Sequence, residues 1–213
     1  MSNFSNCRKA FYEELEFRIH PDVYEPSEDS FALARQIGKK EGGSVLDVGT
    51  GCGILAVIAA ARGAEVVGVD VSIIAIENAE FNAESNGVEC RFKKSNLFER
   101  VGGKFDLIMF NPPYLPTAPE EIVKGPLNHA FNGGADGREV IQRFCSSAGE
   151  YLKRNGRILM VASSLSGIEK SIEELHKAGL NCTLLEEIPM FQERLAVIEA
   201  RVVDENENTG SSG

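Results

Sequence analysis

Two short stretches hold residue types that could do chemistry. The first is Asn111-Pro112-Pro113-Tyr114, directly after the apolar run Phe105–Phe110. Consecutive prolines stiffen the backbone and so hold the carbonyls of Asn111 and Pro112 in place. An Asn side-chain oxygen and a rigid carbonyl are two acceptors, matched to the two hydrogens of a planar NH2 group. An amide or exocyclic nitrogen gripped in this way turns its lone pair outward, toward a donor. Pro113 and Tyr114 complete the grip, the Tyr114 ring offering a face on which a planar target can pack. An Asn-Pro loop by itself can also simply end a strand.

The second stretch is Gly49-Thr50-Gly51-Cys52-Gly53, after Val45-Leu46-Asp47-Val48. Glycines let a chain turn sharply and approach a ligand closely, with a helix N-terminus beyond. A tight turn without a ligand would use the same residues. Asp70, at the end of the next apolar run, could accept hydrogen bonds from both hydroxyls of a ribose. Asp47 lies just ahead of the loop, where a carboxylate would repel a dinucleotide pyrophosphate. A cationic cofactor suits it better, and S-adenosylmethionine (SAM) carries both a sulfonium and an ammonium.

These residues must be positioned by alternating elements. Strand-like runs at 44–48, 65–69, 88–93, 105–110, 157–162, 183–188 and 194–203 enclose helical patterns at 54–62, 73–86, 137–153 and 167–178. That rhythm predicts an α/β fold: a mostly parallel seven-stranded sheet with helices on both faces. The last strand would return antiparallel as a hairpin after Pro189. Ligands of such sheets bind at the carboxyl ends of the strands, so both motifs should face one crevice. Residues 1–20 read as an amphipathic arm or short helix, 21–203 as the catalytic domain, and 204–213 as a polar, disordered tail. The Pro-, Gly- and Asn-rich stretch 111–136 is a long loop of the functional kind.

The 213 residues carry 22 Lys plus Arg against 32 Asp plus Glu, a net charge of −10. Acidity on this scale argues against a nucleic-acid backbone as the main partner, since phosphates are met by clustered cations. No apolar run is long enough to span a bilayer. No export leader opens the chain, and a cytoplasmic setting is expected. The five cysteines are scattered without a C-x-x-C pair and read as reduced thiols. His20, His129 and His176 lack metal-ligand spacing, so no metal is expected.

The chain resembles class I SAM-dependent methyltransferases of planar nitrogen, and among them the HemK-like glutamine methyltransferases. It is most similar to the archaeal and eukaryotic branch that methylates the Gly-Gly-Gln glutamine of class I release factors. Four segments carry the resemblance: 22–30 (Asp-Val-Tyr-Glu-Pro-Ser-Glu-Asp-Ser), 46–53, 106–114 and 133–140 (Gly-Gly-Ala-Asp-Gly-Arg-Glu-Val). The first and last are the more specific to this branch; the glycine loop and the tetrad recur in several methyltransferase families.

The resemblance implies a Rossmann-like domain that holds SAM, and then its product S-adenosylhomocysteine, at the carboxyl edge of the sheet. Ser30, Asp47 and Gly49 would face the methionine moiety, with Gly51 and Gly53 completing the loop. Asp70 would hold the ribose. Asn96 stands where the family usually has Asp facing the adenine amino group; an Asn oxygen also accepts from NH2. Asn111 would touch both SAM and the substrate glutamine. Asn111, Pro112 and Tyr114 would be catalytic, and Pro113 would bind substrate with them. A small zinc-binding activator is implied as a partner, with residues 88–92, in the outermost strand, as its docking edge; the other reading of this edge is that Lys93, Lys94 and the strand twist already protect it. The rival acceptors are an adenine N6 amino group on DNA or RNA and a protein lysine. Arg138 reads as a surface ion pair or a substrate-steering residue, and Glu120-Glu121 as a solvated lip.

Overall fold

The computed structural model describes residues 7–117 and 132–202. In chain order the elements are β1 (Arg8–Tyr12), β2 (Leu15–Ile19), α1 (Glu28–Arg35), β3 (Ser44–Val48), α2 (Ile54–Ala61), β4 (Glu65–Asp70), α3 (Ile73–Ser85), β5 (Cys90–Lys94) and β6 (Phe105–Phe110). After them come α4 (Glu139–Ala148), β7 (Leu152–Ser163), α5 (Ile168–Lys177), β8 (Leu180–Pro189) and β9 (Arg194–Val202). The seven-stranded sheet runs β5-β4-β3-β6-β7-β9-β8. Its strands are parallel from β5 to β7, and β9 is antiparallel to both β7 and β8. The expected fold class, including the antiparallel last strand, is what forms.

Side chains that alternate along each strand build a core on either face of the sheet. Val45, Leu107, Met109, Leu159 and Val161 point toward α1 and α2. Leu46, Val48, Ile108, Phe110, Ile158 and Met160 face α4 and α5. Burial on both faces explains why the central strands read as near-continuous apolar runs.

Most boundaries shift by up to three residues, and two departures from the sequence reading are larger. The helix expected over 137–153 stops at Ala148, and β7 begins at Leu152, before the apolar run. Lys153, Arg154 and Asn155 are exposed, so this part of the strand carries no apolar pattern to betray it. The larger correction is at the N-terminus. Residues 8–19 form an antiparallel hairpin, not a helix, turning through Glu13 at φ +51°. Phe17 and Ile19 are fully buried while Arg18 faces out, a period of two instead of 3.6.

This hairpin is tied down by a ladder of asparagines one helical turn apart, two on α3 and the third at its C-cap. Asn78, Asn82 and Asn86 accept hydrogen bonds from the backbone N–H groups of His20, Arg18 and Glu16, at 2.8, 2.9 and 3.1 Å. Their amide nitrogens donate back to the carbonyls of Arg18 and Glu16 at 2.7–2.9 Å. Asn82 also donates to the Cys52 carbonyl. Side chains thus do for the free edge of β2 what a neighbouring strand would do. The chain leaves this anchor directly into the segment 20–30, which enters the site. The tail 204–213 lies outside the described residues.

Candidate active site

The ends of β3, β4 and β6, the turn after β5 and the first turn of α1 enclose a cavity of about 580 Å3. Ser30, Gly49, Gly51, Asp70, Asn96, Asn111, Pro112, Pro113 and Tyr114 all line it. The topology therefore brings the glycine loop and the tetrad together, although about sixty residues separate them in the chain.

The loop is shaped by left-handed glycines, with φ of +68° at Gly49 and +57° at Gly51. Asp70 braces it: one carboxylate oxygen accepts the Gly51 N–H at 3.0 Å and the other the Ser72 N–H at 2.8 Å. Ser72 in turn caps α3, accepting from the Ala75 N–H at 3.3 Å.

Two residues expected at the cofactor are not on the cavity wall. Asp47 is 1% exposed beneath the loop, where it accepts the Thr50 hydroxyl at 2.6 Å. Burial pushes its carboxyl up to about 7; the Thr50 hydrogen bond opposes the shift and the Asp70 charge adds to it. Gly53 opens α2 at φ +84°, and a β-carbon there would come within 2.8 Å of the Ala79 β-carbon. Its lack of a side chain lets α2 pack on α3.

The tetrad is held from α1 by a connected network. Asp29, 3% exposed, accepts the Ser30 N–H at 2.6 Å and the Ser30 hydroxyl at 3.1 Å through one oxygen. Its other oxygen accepts the hydroxyls of Tyr24 at 2.9 Å and Tyr114 at 3.4 Å. Ser30 Oγ accepts from Asn111 Nδ2 at 3.3 Å. Asn111 is thereby oriented, and its Oδ1 is a buried acceptor with no hydrogen-bond partner among the described residues. Burial, with the charges of Asp29 and Glu193, pushes the Tyr114 hydroxyl well above its usual range, so it stays protonated. The sequence reading places Tyr24 and Asp29 in the resembling segment 22–30 but gives neither a role at the site. Asp29 is an ordinary acidic residue of a helix's first turn until the fold brings Tyr114 to it.

The backbone of the tetrad leans on the glycine turn 133–137. A β-carbon at Gly133 would lie 2.7 Å from the Pro113 carbonyl oxygen, and one at Gly137 would overlap that of Tyr114. Arg138 beyond this turn is neither a surface ion pair nor a substrate guide. It is 3% exposed, donates to the Ser166 carbonyl at 2.7 Å and pairs with Glu174 at 3.2 Å, tying α4 to α5. Phe98 stacks on Tyr151 and Phe144 in the core. Glu120, Glu121 and His129 lie outside the described residues.

The wall is acidic. Asp22, Glu28, Asp29, Asp70, Glu139 and Glu193 line the cavity, with no Lys, Arg or His among the described lining residues. Such a site attracts cations and repels phosphates. Among the described residues no group of His, Cys, Asp or Glu has metal-holding geometry, and no helix is long and apolar enough to cross a membrane.

Comparison with known proteins agrees with this geometry. The family described as methyltransferase small domain matches residues 14–191. A protein of Methanocaldococcus jannaschii named as a protein N5-glutamine methyltransferase is 41% identical over 88% of this chain and 96% of its own length. A release factor glutamine methyltransferase of Agrobacterium fabrum is 33% identical over 69% of this chain and 57% of its own. Among solved structures, the Mtq2–Trm112 complex of E. cuniculi, responsible for methylation of the eRF1 translation termination factor, superimposes with a TM-score of 0.68. It is 24% identical and covers 85% of this chain and 99% of that one. These relatives bear out the HemK-like resemblance, and the chain belongs to the methyltransferase small domain family.

Proposed function

We propose that this chain transfers a methyl group from SAM to the side-chain nitrogen of a protein glutamine, the Gly-Gly-Gln glutamine of a class I release factor, leaving S-adenosylhomocysteine. The observation that carries the reading is the buried, unpartnered Oδ1 of Asn111. An orphaned acceptor is costly unless a ligand supplies its donor, and a carboxamide NH2 is such a donor.

The wall of six carboxylates fits a cofactor that carries two positive charges. SAM, when bound, supplies an electrophilic methyl group on a positively charged sulfur. Asp70 would hold the ribose hydroxyls while its backbone contacts keep the loop shaped. Asn96 donates to Glu99 at 2.8 Å, which leaves its oxygen to accept from the adenine amino group. Ser30 and the Gly49–Gly51 backbone would face the methionine end, with Asp47 and Gly53 shaping the loop from behind. Asn111 Oδ1 and the Pro112 carbonyl would grip the acceptor NH2, and Tyr114 would pack on the planar amide. Positioning of this kind supplies much of the acceleration, and the departing proton goes to water.

The same acidic wall favours a protein acceptor over DNA or RNA. The glutamine would be met in the cytoplasm, where release factors act. A small zinc-binding activator would dock on β5, which among the described residues pairs only with β4; its Cys90 and Phe92, with Val88 just ahead of the strand, line a surface groove.

The deciding experiment is methyl transfer from labelled SAM to a release factor and its Gln→Ala variant, with adenine-containing oligonucleotides and lysine peptides alongside. It is run on the chain alone and coexpressed with the activator. Label on the intact factor, absent from the Gln→Ala variant, is expected. Label on oligonucleotide or lysine peptide alone would replace the reading.

A further inference from the structure

Phe191, at the tip of the β8–β9 hairpin, is 98% exposed, the most exposed of the large apolar side chains described. Its turn is nonetheless firmly built. The Met190 N–H donates to the Glu193 carbonyl at 2.8 Å, and the Glu193 carboxylate accepts the Ser163 hydroxyl at 2.5 Å. Ser164 N–H donates to the Arg194 carbonyl at 2.9 Å, while Arg194 N–H donates to Ser164 Oγ at the same distance. Arg194 also pairs with Glu169 and Glu187. A ring held out in water on a braced turn gains nothing for the fold.

The turn is continuous with the active cavity. Met190 and Glu193, on either side of the tip, line its wall. Met190 beside the ring is 42% exposed, and Leu165, in the turn braced against Arg194, is 45% exposed. We propose that Phe191 is the docking contact for the substrate protein, receiving an apolar side chain from the surface that flanks the acceptor glutamine. The inference rests on the glutamine reading above. Acidic Glu187, Glu169 and Glu193 around the tip disfavour a nucleic-acid strand stacking on the ring, since phosphates would have to pass them. Exposed aromatics that become desolvated on association are typical energetic anchors of protein interfaces.

The test compares Phe191→Ala and Phe191→Leu with wild type in steady-state methylation of an intact release factor and of a short Gly-Gly-Gln peptide that ends before the flanking surface. SAM affinity and melting temperature are measured on each protein. Phe191→Ala should raise KM for the intact factor at least about tenfold, the loss expected of one interface anchor. kcat, SAM affinity and peptide kinetics should hold, and Phe191→Leu should recover most of the loss. An unchanged KM for the intact factor would overturn the proposal, as would an equal loss on the peptide. If wild type coexpressed with the activator fails on the release factor as well, the glutamine reading and this proposal fall together; an active wild type with an indifferent Phe191→Ala sinks this proposal alone.

Discussion

The α-carbon of Gly137 packs so closely on Tyr114 that a β-carbon there would overlap the Tyr114 carbonyl oxygen, with the Pro116 nitrogen 3.1 Å away. Gly137 also has φ +72°, a conformation that side chains resist. The glycine turn is therefore a buttress for the tetrad's backbone. Gly137→Ala should shift the tetrad and reduce turnover by about 100-fold, as small misplacements of reacting groups do. SAM affinity measured by calorimetry should change little, because the glycine loop lies elsewhere. Equal losses in both would mean that the turn supports the whole domain.

Asn111→Ala removes the unpartnered acceptor and keeps the prolines. Turnover should fall at least about 100-fold, with a much smaller loss of SAM binding, as for a group that acts mainly on the reacting nitrogen. Single-turnover kinetics beside a SAM titration separate the two. Parallel losses would make Asn111 a cofactor residue only.

Asp70→Ala should weaken SAM binding by about tenfold or more, since ribose hydrogen bonds to a carboxylate each contribute about 1–3 kcal/mol. The Gly51 and Ser72 N–H groups also lose their acceptor. Asp70→Asn should recover part of the loss. Wild-type affinity in Asp70→Ala would remove this residue from the site.

Asp47 gives a pH signature. Its carboxyl, ordinarily near 3.8, is pushed up to about 7 by burial, so between these values the folded chain binds more protons than the unfolded one. Stability without ligand should therefore fall as pH rises through that window, by at most about 4 kcal/mol from this group. Urea unfolding at several pH values should show Asp47→Asn losing that slope. A slope unchanged in the variant would show that Asp47 is already ionised at low pH.

Asn82→Ala breaks the centre of the ladder, leaving the Arg18 N–H without its acceptor and the Cys52 carbonyl without this donor. A cost of about 2–3 kcal/mol is expected, the range for a buried polar network opened at one member. Hydrogen exchange should speed up first at Arg18 and its neighbours in β2. Uniform protection across the hairpin would refute the ladder's role.

Local chemistry determined much of this protein. Two-residue periodicity and unbroken apolar runs encode the sheet, because each strand's burial is written in its own residues. The tetrad and the glycine loop announce an NH2 grip and a close ligand approach through residue types alone. Their meeting at one edge follows from strand direction. Tertiary structure decided what depends on distant partners. Asp29 became the anchor of the tetrad only when Tyr114, 85 residues away, reached it. Asp47 and Gly53 slipped behind the loop because a strand's side chains alternate in direction and because α3 needs the room at Gly53. The N-terminal hairpin rests on asparagines 58 to 70 residues ahead. Its own twelve residues, mixed in polarity, are compatible with helix or strand, and the fold supplied the edge that chose between them.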